Sequence, residues 1–187
     1  MTHTVVEHVG TIGSLIPGGV LDPDVARLHV DAPATVGRGV FRVRRGSLLA
    51  TRVGDALRLP PAGRAVPVSI RIDRDRRGEV WWRTFGGVHL TTQLARVGSR
   101  VVETVGRREL TFDLRADSGA LIFTLHRLTV RCGSRRVSLP FRGGLTVRAT
   151  VAGGPDAGSV HVAVDLVHVL LGRLLSYDGT LHLKEIS

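Results

Sequence analysis

The chain has no asparagine, one lysine (Lys184), one glutamine (Gln93) and one cysteine (Cys132) in 187 residues. A lone cysteine excludes any internal disulfide and points to a reducing compartment. At the end of the alternating run Leu128, Val130, Cys132 it is expected to be a small buried hydrophobe rather than a nucleophile. The shortage of lysine means that the formal charge of +10 is carried almost entirely by arginine. Lysine and asparagine share A-rich codons, so their joint depletion reads as the imprint of a GC-rich bacterial genome and not as selection for a polyanionic partner. The arginines are also dispersed. They sit beside turns, as in Arg42/Arg44/Arg45, Arg74/Arg76/Arg77, Arg107/Arg108 and Arg135/Arg136, with no basic helix and no interleaving with aromatics. Specific nucleic-acid binding is therefore not expected.

Long hydrophobic runs are missing too. The longest, Val160 to Leu175, is interrupted by His161, Asp165, His168 and Arg173 and is too short to cross a bilayer. The opening MTHTVVEHVG has no basic segment ahead of an apolar run, as a secretory signal would. A soluble, cytoplasmic protein without a membrane span is expected, with a homodimer left open. Also absent are the G-x-S-x-G elbow, the Walker loop, G-x-G-x-x-G and H-E-x-x-H, so nucleophilic hydrolysis, nucleotide use and zinc-protease chemistry lack support. No cofactor and no metal site is expected. His161, Asp165 and His168 would share a face only on a helix, and VHVAVDLVHV is β-branched and alternating; on a strand His168 points away from the other two.

What is present is turn chemistry. From Val66 onward, alternating apolar segments are divided by Arg77-Gly78, Gly86-Gly87, Gly98-Ser99, Gly106, Asp117-Ser118-Gly119, Gly133, Gly143-Gly144, Gly153-Gly154-Pro155 and Asp178-Gly179. Gly37 to Arg45 alternates in the same way, and residues 4–9 read as a first strand. Two helical segments stand out. Asp22-Pro23 opens a short turn through Leu28, and Ser47 caps a helix over SLLATRVGDALRL that Pro60-Pro61 stops. The pattern predicts a single all-β domain over 1–187 with one or two short helices. Its antiparallel meander must curl into a barrel or half-barrel around a cavity to cover its edges, and the Ser47–Leu59 helix is expected to plug it.

The most informative stretch is Gly78 to Gly106. In GEVWWRTF, Trp81, Arg83 and Phe85 share one face of a strand, while Val80, Trp82 and Thr84 share the other. A strand apolar on both faces lies in a core or around a cavity, where Arg83 needs an acid, a carbonyl or a ligand. Glu103, on a nearby strand, is the expected partner. The pair serves either as substrate handle and acid/base or as a salt bridge closing the barrel. Tyr177 is the third catalytic candidate, a hydroxyl donor on the last strand. With aromatics at only 4%, Trp81, Trp82, Phe85, Phe112 and Phe123 are candidates for a ligand-stacking wall as well as for ordinary packing. His126 and Asp113 are isolated polar residues in apolar strands; His126 is counted with the ligand-binding set, although satisfied structural groups are the alternative.

Set out in order, ARLH (26–29), GRGVFRVRRGS (37–47), Pro67, GEVWWRTFGG (78–87), VETVG (102–106), the Leu128–Pro140 region and LLSYDGTL (174–181) resemble an uncharacterised bacterial family. That family is a domain of unknown function found alone or C-terminal to saccharopine-dehydrogenase-like Rossmann domains. The resemblance covers about residues 23–183 and leaves 1–22 as an N-terminal extension. It implies positions for a site but no reaction. Two functions follow as expectations. One is a cofactor-independent cyclase or isomerase acting on an apolar, oxygenated, polyketide-like substrate, for example in ether or spiroacetal ring formation. The other is a non-catalytic carrier of a lipid-like ligand, or a partner domain of a dehydrogenase.

Overall fold

The computed structural model describes Ile12, residues 21–29 and residues 34–186; the strand expected over residues 4–9 lies outside the described residues. A short helix α1 (Pro23–Arg27) precedes β1 (Ala34–Arg45), and α2 (Leu48–Ala56) joins β1 to β2 (Gly63–Asp75). Then follow β3 (Gly78–Phe85), β4 (Val88–Val97), β5 (Arg100–Val105), β6 (Arg108–Asp117), β7 (Ala120–Cys132) and β8 (Arg135–Ser138). A 3-10 turn over Pro140–Gly144 leads to β9 (Leu145–Gly153), β10 (Ser159–His168) and β11 (Gly172–Ile186).

All pairings are antiparallel and run in the order β6-β5-β4-β3-β2-β1-β11-β10-β9-β7, with β6 pairing again with β7. Ten of the eleven strands among the described residues therefore form a closed up-and-down barrel, and closure removes the open edges that a long meander would otherwise expose. Only β8 stands outside the ring, as a hairpin on the end of β7. That excursion explains Cys132. It lies beyond the wall and is exposed, contrary to the buried position expected from its apolar neighbours.

Period-two alternation sends one row of each strand inward. Phe41 and Val43, Val68, Ile70 and Ile72, Phe85, Phe112, Leu121, Phe123 and Leu125 are buried in one core cluster. Arginines such as Arg42, Arg44 and Arg71 point outward into solvent.

The two ends of the barrel differ. At the end holding the β2–β3, β6–β7 and β9–β10 turns, α1 acts as the closure. Asp22 caps it by accepting from Asp24 N, and Pro23 starts it with its missing N–H where no partner is needed. Asp22 N donates to Gly119 O (3.0 Å) and Gly158 N donates to Asp24 Oδ2 (2.8 Å), which ties the helix to two turns while Val25 and Leu28 enter the core. Ile12 adds to a small cluster with Leu94 and Val101.

The expected plug by the Ser47–Leu59 helix is corrected. α2 lies at the opposite end and packs against β11, and its Leu48 is 87% and its Leu49 59% exposed. Nine residues make a single short apolar stripe, and Ala50 and Gly54 are the residues it buries. What holds α2 is Arg45, whose guanidinium donates to the carbonyls of Thr51, Leu59 and Pro60.

Candidate active site in the barrel interior

Inside the barrel is an apolar cavity of ≈ 130 Å³. It is far below the roughly 300–1,000 Å³ of sites that engulf drug-sized ligands. It is comparable with cavities of about 150 Å³ that take up benzene. Its walls loosen away from α1. Along the inward row of β10, Val160 is fully buried, whereas Val162, Val164 and Leu166 are half-buried. β7 and β9 pair only over Leu121–Thr124 with Val151–Arg148, so the wall parts toward the α2 end.

The polar groups of the cavity come from alternate positions on neighbouring strands. Trp81, Arg83 and Phe85 point inward from β3, Glu103 from β5 and Tyr177 from β11. Arg83 Nη1 and Nη2 both donate to Glu103 Oε1 at 3.1 Å, and no bond to Oε2 is found among the described residues. The guanidinium carbon lies 4.7 Å from the centroid of the Trp81 ring, within cation–π range. Both charged side chains keep about a sixth of their surface accessible, 15% for Arg83 and 17% for Glu103. The pair is thus partly reachable from the cavity rather than sealed in the wall.

Tyr177 packs its ring against Phe85 (centroids 5.2 Å apart) and Phe41 (5.7 Å). Burial raises its phenol pKa, Arg83 opposes the rise and Glu103 adds to it, so the hydroxyl stays protonated and is available as a donor. The Tyr-x-Gly of the last strand acquires a reason here. A Cβ on Gly179 would lie 2.4 Å from Phe41 Cδ1, so only glycine leaves room for the ring that supports Tyr177.

Of the residues expected to form the site, Glu103, Arg83, Tyr177, Trp81, Phe85, Phe112 and Phe123 all line this cavity. Two do not, and these are corrected. Trp82 faces outward and is 41% exposed, because adjacent residues on a strand cannot share a face. His126 also lies on the outer face. Its Nδ1 is 3.1 Å from Asp113 Oδ2, and Asp113 accepts from Arg100 at 2.7 Å. The bond from Arg100, opposed by burial and joined by the charges of Arg100 and His126, holds the Asp113 carboxyl below its usual range. His161, Asp165 and His168 do not converge, and no group of three metal-ligand side chains occurs among the described residues.

The site also holds residues that the sequence analysis did not single out. His29, in the turn after α1, is 2% exposed and walls the cavity at its closed end. Its Nδ1 lies 3.2 Å from Glu79 Oε1, Trp81 Nε1 donates to Glu79 Oε2 at 2.8 Å, and Arg74 Nε approaches Oε1 at 3.6 Å. Burial pushes the Glu79 carboxyl upward, but His29, Trp81 and Arg74 together outweigh it and hold it below the ordinary range. The available signal was the alternation itself. Glu79 shares the inward face of Trp81 and Arg83, two and four residues along.

No helix among the described residues is long and apolar enough to cross a membrane. No curated protein and no solved structure matches the chain. A family model does match, over residues 21–181, which is most of the chain and contains every residue of the cavity named above. The chain belongs to the family of domains of unknown function designated DUF4166.

Proposed function

We propose that the barrel takes up a small apolar oxygenated molecule, or the leading end of a longer one, through its α2 end. The observation that carries this is the convergence of a mutually paired arginine and glutamate and a protonated tyrosine on a mostly apolar cavity. The size of the cavity limits the guest. A group of about benzene size fits, so a polyketide-like substrate would present one ring-forming segment and leave the rest outside.

The chemistry we assign is a cofactor-independent cyclisation or isomerisation. Glu103 Oε2 takes the proton from a substrate hydroxyl as its oxygen bonds to a carbonyl carbon. The carbonyl electrons move to the carbonyl oxygen, which Arg83 and Tyr177 stabilise and which recovers the proton from Glu103. No oxidant or reductant enters this balance. Holding a flexible chain in a reactive conformation supplies part of the rate. This step closes a cyclic hemiacetal; a spiroacetal requires a second step, in which the hydroxyl on that carbon takes a proton from the Glu103 carboxylic acid and leaves as water while a second substrate hydroxyl bonds to the same carbon and returns its proton to Glu103.

A carrier function is the second reading, and one observation favours it. Arg83 and Glu103 satisfy each other, which a purely binding wall also requires. In that case the domain would present its ligand to a dehydrogenase, including one fused in the same chain in other members of the family. The test is an assay with synthetic hydroxy-ketones short enough to enter, read by mass spectrometry. Conversion by the wild type that Glu103→Gln lacks, while both proteins still bind, supports the enzyme. Binding without conversion by either supports the carrier.

A further inference from the structure

The ends of the barrel also differ in what they present to solvent. Of the large hydrophobic side chains among the described residues, the four most exposed are Leu48 (87%), Leu170 (84%), Val169 (77%) and Leu49 (59%). All four stand at the end opposite α1. Leu48 and Leu49 open α2, and Val169 and Leu170 lie in the turn between β10 and β11, across the barrel from the β9–β10 turn that α1 touches. The two segments are neighbours. A Cβ on Gly46 would overlap Arg173 O, so the chain entering α2 touches the start of β11, and α2 packs against that strand. Leu48 follows Gly46 by two residues and Leu170 precedes Arg173 by three. Val169 N donates to Gly144 O at 2.8 Å, which fixes the backbone of the turn while its apolar side chains stay in solvent.

The charges divide along the same axis. Arg44, Arg52, Arg58 and Arg64 are exposed around the α2 end and make no ion pair among the described residues. The acids near them, Asp55 and Asp165, are already paired with Arg45 and Arg173. At the closed end, by contrast, stand Asp22, Asp24, Asp73, Asp75, Asp117 and Asp156, beside α1 or at the ends and turns of β2, β6 and β9. Three of them hold arginines there, Asp24 with Arg27, Asp73 with Arg71 and Asp117 with Arg115. Genome composition sets how many arginines the chain carries, but not at which end acids accompany them. An exposed apolar patch rimmed by charge of one sign marks a surface that meets a partner.

We propose that the α2 end of the barrel docks on an anionic lipid bilayer. Leu48, Leu49, Val169 and Leu170 enter the boundary between headgroups and acyl chains, and Arg44, Arg52, Arg58 and Arg64 face the anionic headgroups. A nucleic acid would match the arginines but leave the leucines and the valine in water. A second copy of the chain would match the apolar side chains but set the same arginines against each other across a two-fold axis. The bilayer alone answers both. This goes beyond the cavity reading and stands without it. Where both hold, the wall that parts toward the α2 end faces the membrane, and an apolar guest moves between the two without crossing water.

The test is co-sedimentation of the full chain with vesicles of phosphatidylcholine alone and of phosphatidylcholine mixed with phosphatidylglycerol. Binding to the mixed vesicles should be at least about tenfold tighter, since each basic residue near an anionic surface is worth roughly fivefold, and it should weaken with salt. Leu48→Ser combined with Leu170→Ser should weaken it about tenfold or more, because two apolar side chains no longer enter the bilayer. Arg52→Glu with Arg58→Glu should weaken it at least as much. Arg76→Glu with Arg77→Glu makes the same change of charge on exposed residues of the closed end, and should have less than about a threefold effect, because charges more than about 10 Å from the bilayer are screened. All six residues are exposed, and unchanged thermal unfolding verifies that each variant is folded. Equal binding to the two kinds of vesicle, or binding to neither, overturns the proposal. So do equal losses from the two arginine pairs, since net charge alone would then explain adsorption, and so does mixed-vesicle binding that survives the leucine replacements. A dimer in light scattering that the leucine replacements dissociate also overturns it and makes this face an interface between copies. The hydroxy-ketone assay is run without vesicles, so this proposal and the cavity reading fail separately.

Discussion

Replacing Glu103 by glutamine separates a working site from a structural clasp, and Glu79→Gln in the same protein provides the standard. Both carboxylates face an arginine, but their settings differ. The Glu79 and Arg74 side chains are 1% and 5% exposed, whereas those of Glu103 and Arg83 are 17% and 15% exposed. Removing one charge of a fully buried pair strands the other, at about 3–5 kcal/mol. For a domain of this length about 1 kcal/mol corresponds to 2–4 °C, so Glu79→Gln should lower the Tm by about 6–20 °C. At Glu103 the glutamine oxygen can still accept from Arg83, the guanidinium keeps the face of Trp81, and the cavity gives partial solvation. The cost there should be about 1–2 kcal/mol, or roughly 2–8 °C. Thermal unfolding of the two variants side by side, with urea denaturation as a second measure, reads the ordering. If Glu103→Gln falls as far as Glu79→Gln, the Arg83–Glu103 pair is a structural salt bridge and the acid/base role assigned to it is wrong.

Other consequences follow from the same geometry. The Glu79 carboxyl has its pKa lowered in the folded state, so its stabilising effect is full above the unfolded value of about 4.3 and is lost as pH falls through the folded one. Urea midpoints should therefore drop more steeply with acid for the wild type than for Glu79→Gln, and parallel curves would contradict this. Gly179→Ala should cost about 1–3 kcal/mol by overpacking against Phe41 Cδ1 and Val40 O, at 2.4 and 2.6 Å from the added carbon, and an unchanged urea midpoint would contradict the reason given for the Tyr-x-Gly pair. Despite the charge of +10, fluorescence anisotropy at physiological salt should detect no sequence-dependent DNA or RNA binding. Arg100, Arg115 and Arg131, among others, are already engaged by Asp113, Asp117 and Glu109 on scattered strands.

The strands were legible because both of their determinants are local. Alternation sets the face and a turn residue sets the end, so β3, β4 and β5 could be placed on sequence alone, and with them the inward row of Trp81, Arg83 and Phe85. The same rule already excluded Trp82 once Trp81 was inward. It excluded His126 as well, which is an odd number of residues from the inward Phe123. The plug was not legible, because Leu48 and Leu49 look like a core stripe until the length of α2 and the exposure of both leucines are known. His29 escaped notice for a related reason. It lies in a turn with no periodicity, and its partner Glu79 is fifty residues away in the chain. Only closure of the barrel brings the two together, and no local pattern encodes that.

The most direct test of the central claim is a crystal of the protein grown with cyclohexanol, an apolar alcohol small enough for the interior. Density for the ring is predicted inside the barrel, between Trp81 and Phe123, with its oxygen within hydrogen-bonding distance of Tyr177, Arg83 or Glu103. An empty interior, with cyclohexanol bound only on the outer faces of the strands, would contradict the account.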